Sequence, residues 1–416
     1  MQKRKLVLKI KQSYNTAEFK WNFTKISLIL VAISPAFLLG AGNRPLGLIF
    51  FMGVSPFLAF KKSYDGNTFV LLAFCGSIVF SAGVINIETV RWSSVFYSLM
   101  FSSFYIAYVN TLKNGSMQIS EFIKICKFIL FAYFFTLLIQ QFCVLLSLPI
   151  FNVSNYNSSN PWKLNALAAE PSHSARIIAL VMLAYVMAIK IIKNSQIPEP
   201  TQKEQMLVWF VFLYSMMTLG SGTGAFMLFL IILYKFGKFN VKSFVLAFVT
   251  ILIVLSFFPI EQLNRSINLI ISIFSLDYNQ MLSADHSGAM RIAPLFVLLN
   301  EVEVFSVNGI FGNGTDSVGL FMSNYIGGVE DGFAGGGLMM LWYEYGVLSF
   351  ALFSFFSIRA MYIEKEPIFF LIWLIMVFIA GVNGQMIWLA IILFTSLRFF
   401  KSQIYNLNLY STKNVV

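Results

Sequence analysis

Ionisable residues are scarce in this chain: Asp, Glu, Lys and Arg together make up 11% of its 416 residues. There are two histidines, His173 and His286, and three cysteines, Cys75, Cys126 and Cys143. A zinc site needs three or four nitrogen, sulfur or oxygen ligands at suitable spacing. The chain offers neither a histidine pair nor a cysteine cluster, so no metal is expected. The cysteines all fall in apolar runs, where a small buried hydrophobe is the default, and no disulfide framework is implied. Asp285-His286-Ser287 is a triad in text only, because adjacent residues cannot reach one another in the required geometry. Gly220-Ser221-Gly222-Thr223-Gly224 lacks the lysine of a phosphate-cradling P-loop and reads as close helix packing. No cofactor is expected.

What the chain has in abundance is apolar sequence: 58% of residues are hydrophobic and 46 are phenylalanine. Continuous apolar runs of roughly 16 to 23 residues recur along it, each long enough for a hydrocarbon core of about 30 Å. Barrel strands would alternate apolar and polar, so helices are the expected spanners. The expected fold class is an all-α polytopic membrane protein forming a single integral-membrane domain over 1–416. Spans are placed at 26–42, 45–60, 68–85, 93–112, 127–148, 176–192, 206–219, 222–234, 243–259, 336–358, 368–382 and 386–399. That gives about 12 transmembrane helices, the first of them uncleaved, with both termini cytoplasmic.

The placement of basic residues agrees with that count. With the N-terminus inside, 23 of the 29 lysines and arginines face the cytoplasm, as the positive-inside rule requires. This clustering at loops, rather than on one face, also argues against nucleic acid as the partner of a chain whose formal charge is +11. The six left outside are Arg44, Arg91, Lys163, Arg176, Arg265 and Arg291. Five are arginine in a chain with far more lysine, and arginine's planar fork suits phosphate or carboxylate, so an anionic ligand is expected on that side.

Two outer segments are long, 150–175 and 260–335, beside many short connections; loops of this size usually carry function. Within the second, Ile267–Phe274 and Ile292–Leu299 are apolar but too short to span and read as interfacial or capping helices. The densest polar chemistry is Glu170-Pro171-Ser172-His173-Ser174-Ala175-Arg176. Two roles fit it. Ser172 or Ser174 could cap the following helix, with Glu170 beside its positive end and a local ion pair. Alternatively, Glu170 or His173 serves as a base while Arg176 and the free amides hold a phosphate. Arg291 reads as a phosphate contact or as a partner for Glu301 or Glu303. Glu344, about two turns inside a span, is costly without a partner and reads either as paired with an outer arginine or as a structural acid.

Ala168 to Arg176 resembles the short Glu-Pro-Ser signature that precedes a span in the O-antigen polymerase (Wzy) family. The stretch Asn308-Gly309-Ile310-Phe311-Gly312-Asn313-Gly314-Thr315-Asp316-Ser317, through Gly332 to Trp342-Tyr343-Glu344-Tyr345-Gly346-Val347, is similar to that family's glycine-rich loop and the Glu-x-Gly helix after it. The resemblance implies a glycosyltransferase of the bacterial inner membrane, multi-pass, with its active site facing the periplasm. It would transfer a growing glycan from undecaprenyl pyrophosphate onto a lipid-linked repeat unit. Implied partners are the lipid-linked oligosaccharide, membrane lipid and a chain-length regulator protein. Glu170, His173, Arg176 and Arg291 are then the expected catalytic residues. Arg265, Asp331 and Glu344 are expected to bind substrate, and Asn152–Asn160, Tyr156 and Trp162 to line the glycan path. Related O-antigen ligases and several polymerases resemble one another in a histidine-asparagine pair before the late span. Glu330-Asp331-Gly332 stands there instead, leaving Asp331 or a residue elsewhere as the base. The alternatives are an O-antigen ligase, against which the missing pair counts, and a lipid-linked oligosaccharide flippase or exporter, which predicts charges inside the spans.

Overall fold

The computed structural model describes residues 20–33, 46–60, 65–88, 90–152, 161–162, 164–193, 195, 197–219, 222–236, 268, 271–272, 278–284, 286–326, 337–378 and 382–412. The chain is helical, with no strand among the described residues. In order the helices are α1 (Phe23–Ala32), α2 (Leu46–Ala59), α3 (Gly66–Phe80), α4 (Trp92–Lys113), α5 (Ile119–Leu145), α6 (Pro171–Ile192), α7 (Gln202–Leu219) and α8 (Gly222–Phe236). There follow α9 (Tyr278–Ala284), α10 (His286–Glu301), α11 (Val307–Phe311), α12 (Val318–Ser323), α13 (Gly337–Met361), α14 (Ile368–Trp373) and α15 (Gln385–Thr412). Among the described residues six helical segments are long and apolar enough to cross a membrane: Gly66–Ile85, Trp92–Lys113, Ile119–Leu145, Pro171–Ile192, Gly337–Met361 and Gln385–Asn406. The span expected at 243–259 lies outside the described residues.

Several helices start before their expected positions, α5 and α6 by the widest margins. Helix α5 opens at Ile119 instead of Lys127, because Gln118 and Glu121 form a capping box in which the Gln118 amide donates to Glu121 Oε2 at 2.9 Å. Lys124 and Lys127 therefore ride on the helix. Helix α6 opens at Pro171 instead of Arg176, since proline lacks the N–H that a first helical turn leaves unbonded anyway.

The chain divides into two compact units. Unit 1 comprises residues 1–60, 104–236 and 391–416; unit 2 comprises 61–103 and 237–390.

Unit 1 is built around α6, which packs against α5, α7 and α8. Every residue from Ser174 to Ile189 is buried. Lipid is as apolar as leucine, so close fit rather than hydrophobicity drives such packing. Ala175, Ala179, Ala184 and Ala188, in two i, i+4 pairs, let neighbouring backbones approach. A buried ion pair, Lys25 Nζ to Glu121 Oε1 at 2.5 Å, ties α1 to the start of α5. Tyr105 and Tyr108 exchange hydroxyl hydrogen bonds with Thr395 and Ser396 at 3.1 and 2.8 Å.

In unit 2, α3 lies along α13, with Phe74 against Phe353 at 5.0 Å and Ser77 Oγ 2.9 Å from Ser349 Oγ. Trp388 is fully buried, stacks on Phe101 and donates its indole N–H to the Val382 carbonyl at 2.8 Å. Helix α3 ends in a π-helical turn, Ser81–Ile85, which turns Ser81 towards the chain ahead of α12.

Candidate functional sites in the two units

In unit 1 the segment before α6 is a buried loop, which must find partners for its own amides and carbonyls. Two side chains supply them. Gln140, fully buried on α5, accepts from the Ala166 amide at 2.8 Å and donates to the Phe151 carbonyl at 3.0 Å. Asn165 donates to the carbonyls of Asn152 at 2.7 Å and Ala169 at 3.2 Å. Asn152 returns a bond to the Ala166 carbonyl at 2.6 Å, and both Asn152 and Ala166 hold positive φ. This network fixes where Glu170 enters the helix.

Glu170 is the N-cap residue, but its side chain makes no capping bond; Ser172 Oγ donates to its carboxylate at 3.3 Å. The expectation that Ser172 or Ser174 caps the helix is not met. Ser174 is turned inward and donates to the Asn165 carbonyl, binding the helix start to the buried loop. Glu170 is exposed and forms no ion pair among the described residues, so the local Glu170–Arg176 pair is absent. Arg176 is 8% exposed, with Nε donating to the Ser172 carbonyl one turn back at 3.3 Å. His173 is half-buried in the same turn. The segment thus brings an exposed carboxylate, an imidazole and a buried guanidinium to one helix end.

In unit 2 the polar feature is a tight loop clasped to a broken helix. At Gly346, α13 leaves helical geometry, with φ 84° and ψ 166°. In a continuous helix the Tyr343 and Glu344 carbonyls would accept from the amides of Val347 and Leu348. Here the Asn313 amide donates to Tyr343 at 2.9 Å and the Gly314 amide to Glu344 at 3.2 Å. Non-helical backbone at membrane depth is tolerated where it is packed in protein and rebonded in this way. The fit requires two glycines. A Cβ on Gly346 would lie 2.0 Å from the Ile310 carbonyl oxygen, and one on Gly312, at φ +93°, would lie 2.2 Å from that of Glu344.

The loop is held from α3 and α4 as well. Ser81 Oγ donates to the Phe311 carbonyl, and Asn86 Nδ2 to that of Gly312 at 3.2 Å. The Arg91 amide donates to Thr315 Oγ1 at 2.7 Å, and its guanidinium pairs with Asp316 at 3.0 Å. Asp316, at φ +61°, presents its carboxylate to solvent. Beneath it Glu344 is 7% exposed, with Oε1 unpartnered, and the backbone amides of Asp316 and Val318 face its carboxylate. Among the described residues no arginine pairs with Glu344; Arg91 pairs with Asp316.

The remaining expected residues fall as follows. Arg291 lies in the second turn of α10, a helix of 16 residues that contains the expected apolar stretch Ile292–Leu299. Glu301 and Glu303 are exposed. Arg265, Asp331, Lys163 and residues 153–160, including Tyr156, lie outside the described residues, as do Gly220 and Ser221. Trp162 is exposed. Arg176 belongs to unit 1, and Arg291 and Glu344 to unit 2. Sequence reasoning missed Gln140, Asn165 and Asp316 and placed Arg91 only among the outer arginines expected to meet an anion. A buried glutamine in an apolar run was the available signal for the first.

Outside the apolar spans, the Glu204 carboxyl is held below its ordinary range, chiefly by a hydrogen bond from Lys127 at 3.1 Å and by the Thr201 amide. Among the described residues no group of three or more His, Cys, Asp or Glu side chains could hold a metal. No protein-family model, curated protein or solved structure matches the chain.

Proposed function

We propose that the chain is a polysaccharide polymerase, an inner-membrane glycosyltransferase of about 12 spans with both termini cytoplasmic. It moves a growing glycan from undecaprenyl pyrophosphate onto a lipid-linked repeat unit at the periplasmic face. The observation that carries this reading is a pair of motifs in built settings. Glu-Pro-Ser-His-Ser-Ala-Arg opens the most buried apolar helix of unit 1, and Glu344-Tyr345-Gly346 falls where α13 is broken and clasped.

The chemistry asks for two things at these motifs. A pyrophosphate leaving group develops negative charge, which fixed guanidinium groups stabilise without reorganising during the reaction. Arg176, held on α6 of unit 1, takes that role in this reading, and Arg291 of unit 2 is a second candidate for it by sequence. The acceptor hydroxyl needs a hydrogen-bond acceptor or base, for which exposed Glu170 comes first and His173 second. Burial of Arg176 favours a structured anion contact over a solvated surface charge. Broken spans elsewhere mark binding sites at membrane depth, which supports a substrate role for the α13 segment.

The test is chain length in cells. Glu170→Ala and Arg291→Ala are expected to insert normally yet yield single-repeat glycan in place of long chains. Long chains of ordinary length in both variants would remove the site assignment. An impermeant thiol reagent should label cysteines introduced near Ser158 and Asn313 from the periplasmic side of spheroplasts.

A further inference from the structure

We infer that the corner leading into α11 is a membrane-interface anchor, in which Phe305, Val307 and Phe311 rest against the acyl chains of bilayer lipid beside the outer end of α3. That end is the outer one in the topology proposed above. The inference rests on the membrane reading alone and is independent of the polymerase reading.

The argument starts from a side chain unsuited to water. Ser306 is the N-cap of α11, its Oγ accepting from the Gly309 amide at 2.9 Å. The residue before an N-cap often tucks its apolar side chain against the fourth helical residue, which here is Ile310. Phe305 holds that position and is 90% exposed instead. Val307, two residues on, is 62% exposed. The corner thus presents a phenyl ring and a branched aliphatic group outward, an arrangement that water disfavours and an apolar surrounding stabilises.

What covers these groups follows from where the corner is fixed. Val307 and Phe311 stand one turn apart on the same face of α11. The Phe311 ring meets that of Phe80 edge to face, with centroids 5.3 Å apart. Phe80 belongs to an exposed stripe of α3 that also holds Phe69, Leu72 and Val79, while Leu71, Phe74 and Ile78 are buried on the opposite face. In a span, an exposed apolar stripe of this kind meets lipid, and α11 prolongs it through the contact of Phe311 with Phe80. The depth agrees. The Phe311 carbonyl accepts from Ser81 Oγ, four residues before the end of the span 66–85. Helix α11 is therefore held within about 6 Å of that end, at the boundary of headgroups and acyl chains.

Charge decides the kind of contact. Glu301 and Glu303, on the approach to the corner, are exposed, and carboxylates repel anionic headgroups. No lysine or arginine occurs from 292 to 358, so the corner lacks the basic residues of a segment drawn to lipid charge. The contact is apolar, made with acyl chains, and needs no anionic lipid.

The test uses the full-length protein in phosphatidylcholine vesicles. The native cysteines are replaced by alanine, and a nitroxide label is attached in turn through Phe305→Cys, Val307→Cys and, as a control, Glu301→Cys. Oxygen concentrates among acyl chains and a nickel chelate stays in water, so their relative collision rates with the label report its depth. Labels at 305 and 307 should collide more with oxygen than with nickel, and the label at 301 should show the reverse. Labels at 305 and 307 that nickel reaches as readily as the one at 301 would overturn the anchor. Labels shielded from both reagents would overturn it too, and would assign the corner to a protein partner or a second copy of the chain.

A second measurement needs no substitution. Wild-type protein is irradiated in vesicles of a phospholipid that carries a photoreactive group on its acyl chain, and the adducts are mapped by mass spectrometry. Adducts within 305–311 as well as on the α3 stripe are expected. Adducts on α3 with none at the corner would sink the inference even if the cysteine variants failed to fold. Neither readout involves glycan extension, so a chain that extends nothing yet labels at this corner would keep the anchor and lose the polymerase reading.

Discussion

Replacing Gly346 by alanine should unfold or severely weaken unit 2. Gly346 holds φ 84° and ψ 166°, a conformation essentially confined to glycine, and forcing another residue into it costs about 1–3 kcal/mol. The added Cβ would also lie 2.0 Å from the Ile310 carbonyl oxygen, well over an ångström inside ordinary contact, against backbone that cannot swing away. Relief requires α11 to move off α13. That movement breaks the bonds from Asn313 and Gly314 to the Tyr343 and Glu344 carbonyls, each worth about 1–3 kcal/mol once its acceptor is left buried and bare. The total of several kcal/mol is a large part of the 5–15 kcal/mol that holds a typical domain together. The assay is thermal unfolding in detergent followed by intrinsic fluorescence. Gly53→Ala and Gly76→Ala serve as controls, since a Cβ at either position meets nothing within 4 Å. Controls near the wild-type midpoint with Gly346→Ala lower by ten degrees or more are expected. A Gly346→Ala midpoint within two degrees of wild type would refute the clasp.

Gln140→Leu should strand the buried Ala166 amide at a cost of about 1–3 kcal/mol, loosening the loop before α6 and making residues 164–169 sensitive to added protease. Lys25→Met should cost about 3–5 kcal/mol by leaving the buried Glu121 carboxylate uncompensated. The double variant Lys25→Met, Glu121→Leu should recover much of that in the same melt. Because the Glu204 carboxyl is depressed in the folded state, its contact with Lys127 contributes stability above the carboxyl's ordinary 4.5 and loses it as pH falls through the lower folded value. Lys127→Ala should return the Glu204 titration, read by carboxyl NMR, towards 4.5; an unmoved titration would contradict that cause.

The sequence foretold what continuous hydropathy can carry. The helices at 66–85, 92–113 and 337–361 lie within a few residues of their expected bounds, because an uninterrupted apolar run leaves the backbone no choice but helix. Glu344 does sit two turns inside α13. The break at Gly346 was hidden because hydropathy runs on across it; only the packing of Gly312 on the same turn reveals it. Long-range polar bonds were likewise out of reach. Arg91 and Asp316 are separated by 225 positions, and nothing local in either stretch announces the other. The start of α6 could have been read from Pro171, whose place at a first helical position is a local rule. The apolar run taken alone begins only at Arg176.

The most direct test of the central claim is reconstitution: purified protein in lipid vesicles, given purified undecaprenyl-pyrophosphate-linked repeat units and no other enzyme. A ladder of lipid-linked products, each longer by one repeat, is the result expected. Unchanged single repeats in the presence of properly folded protein, or transfer only when lipid A core is supplied, would contradict it.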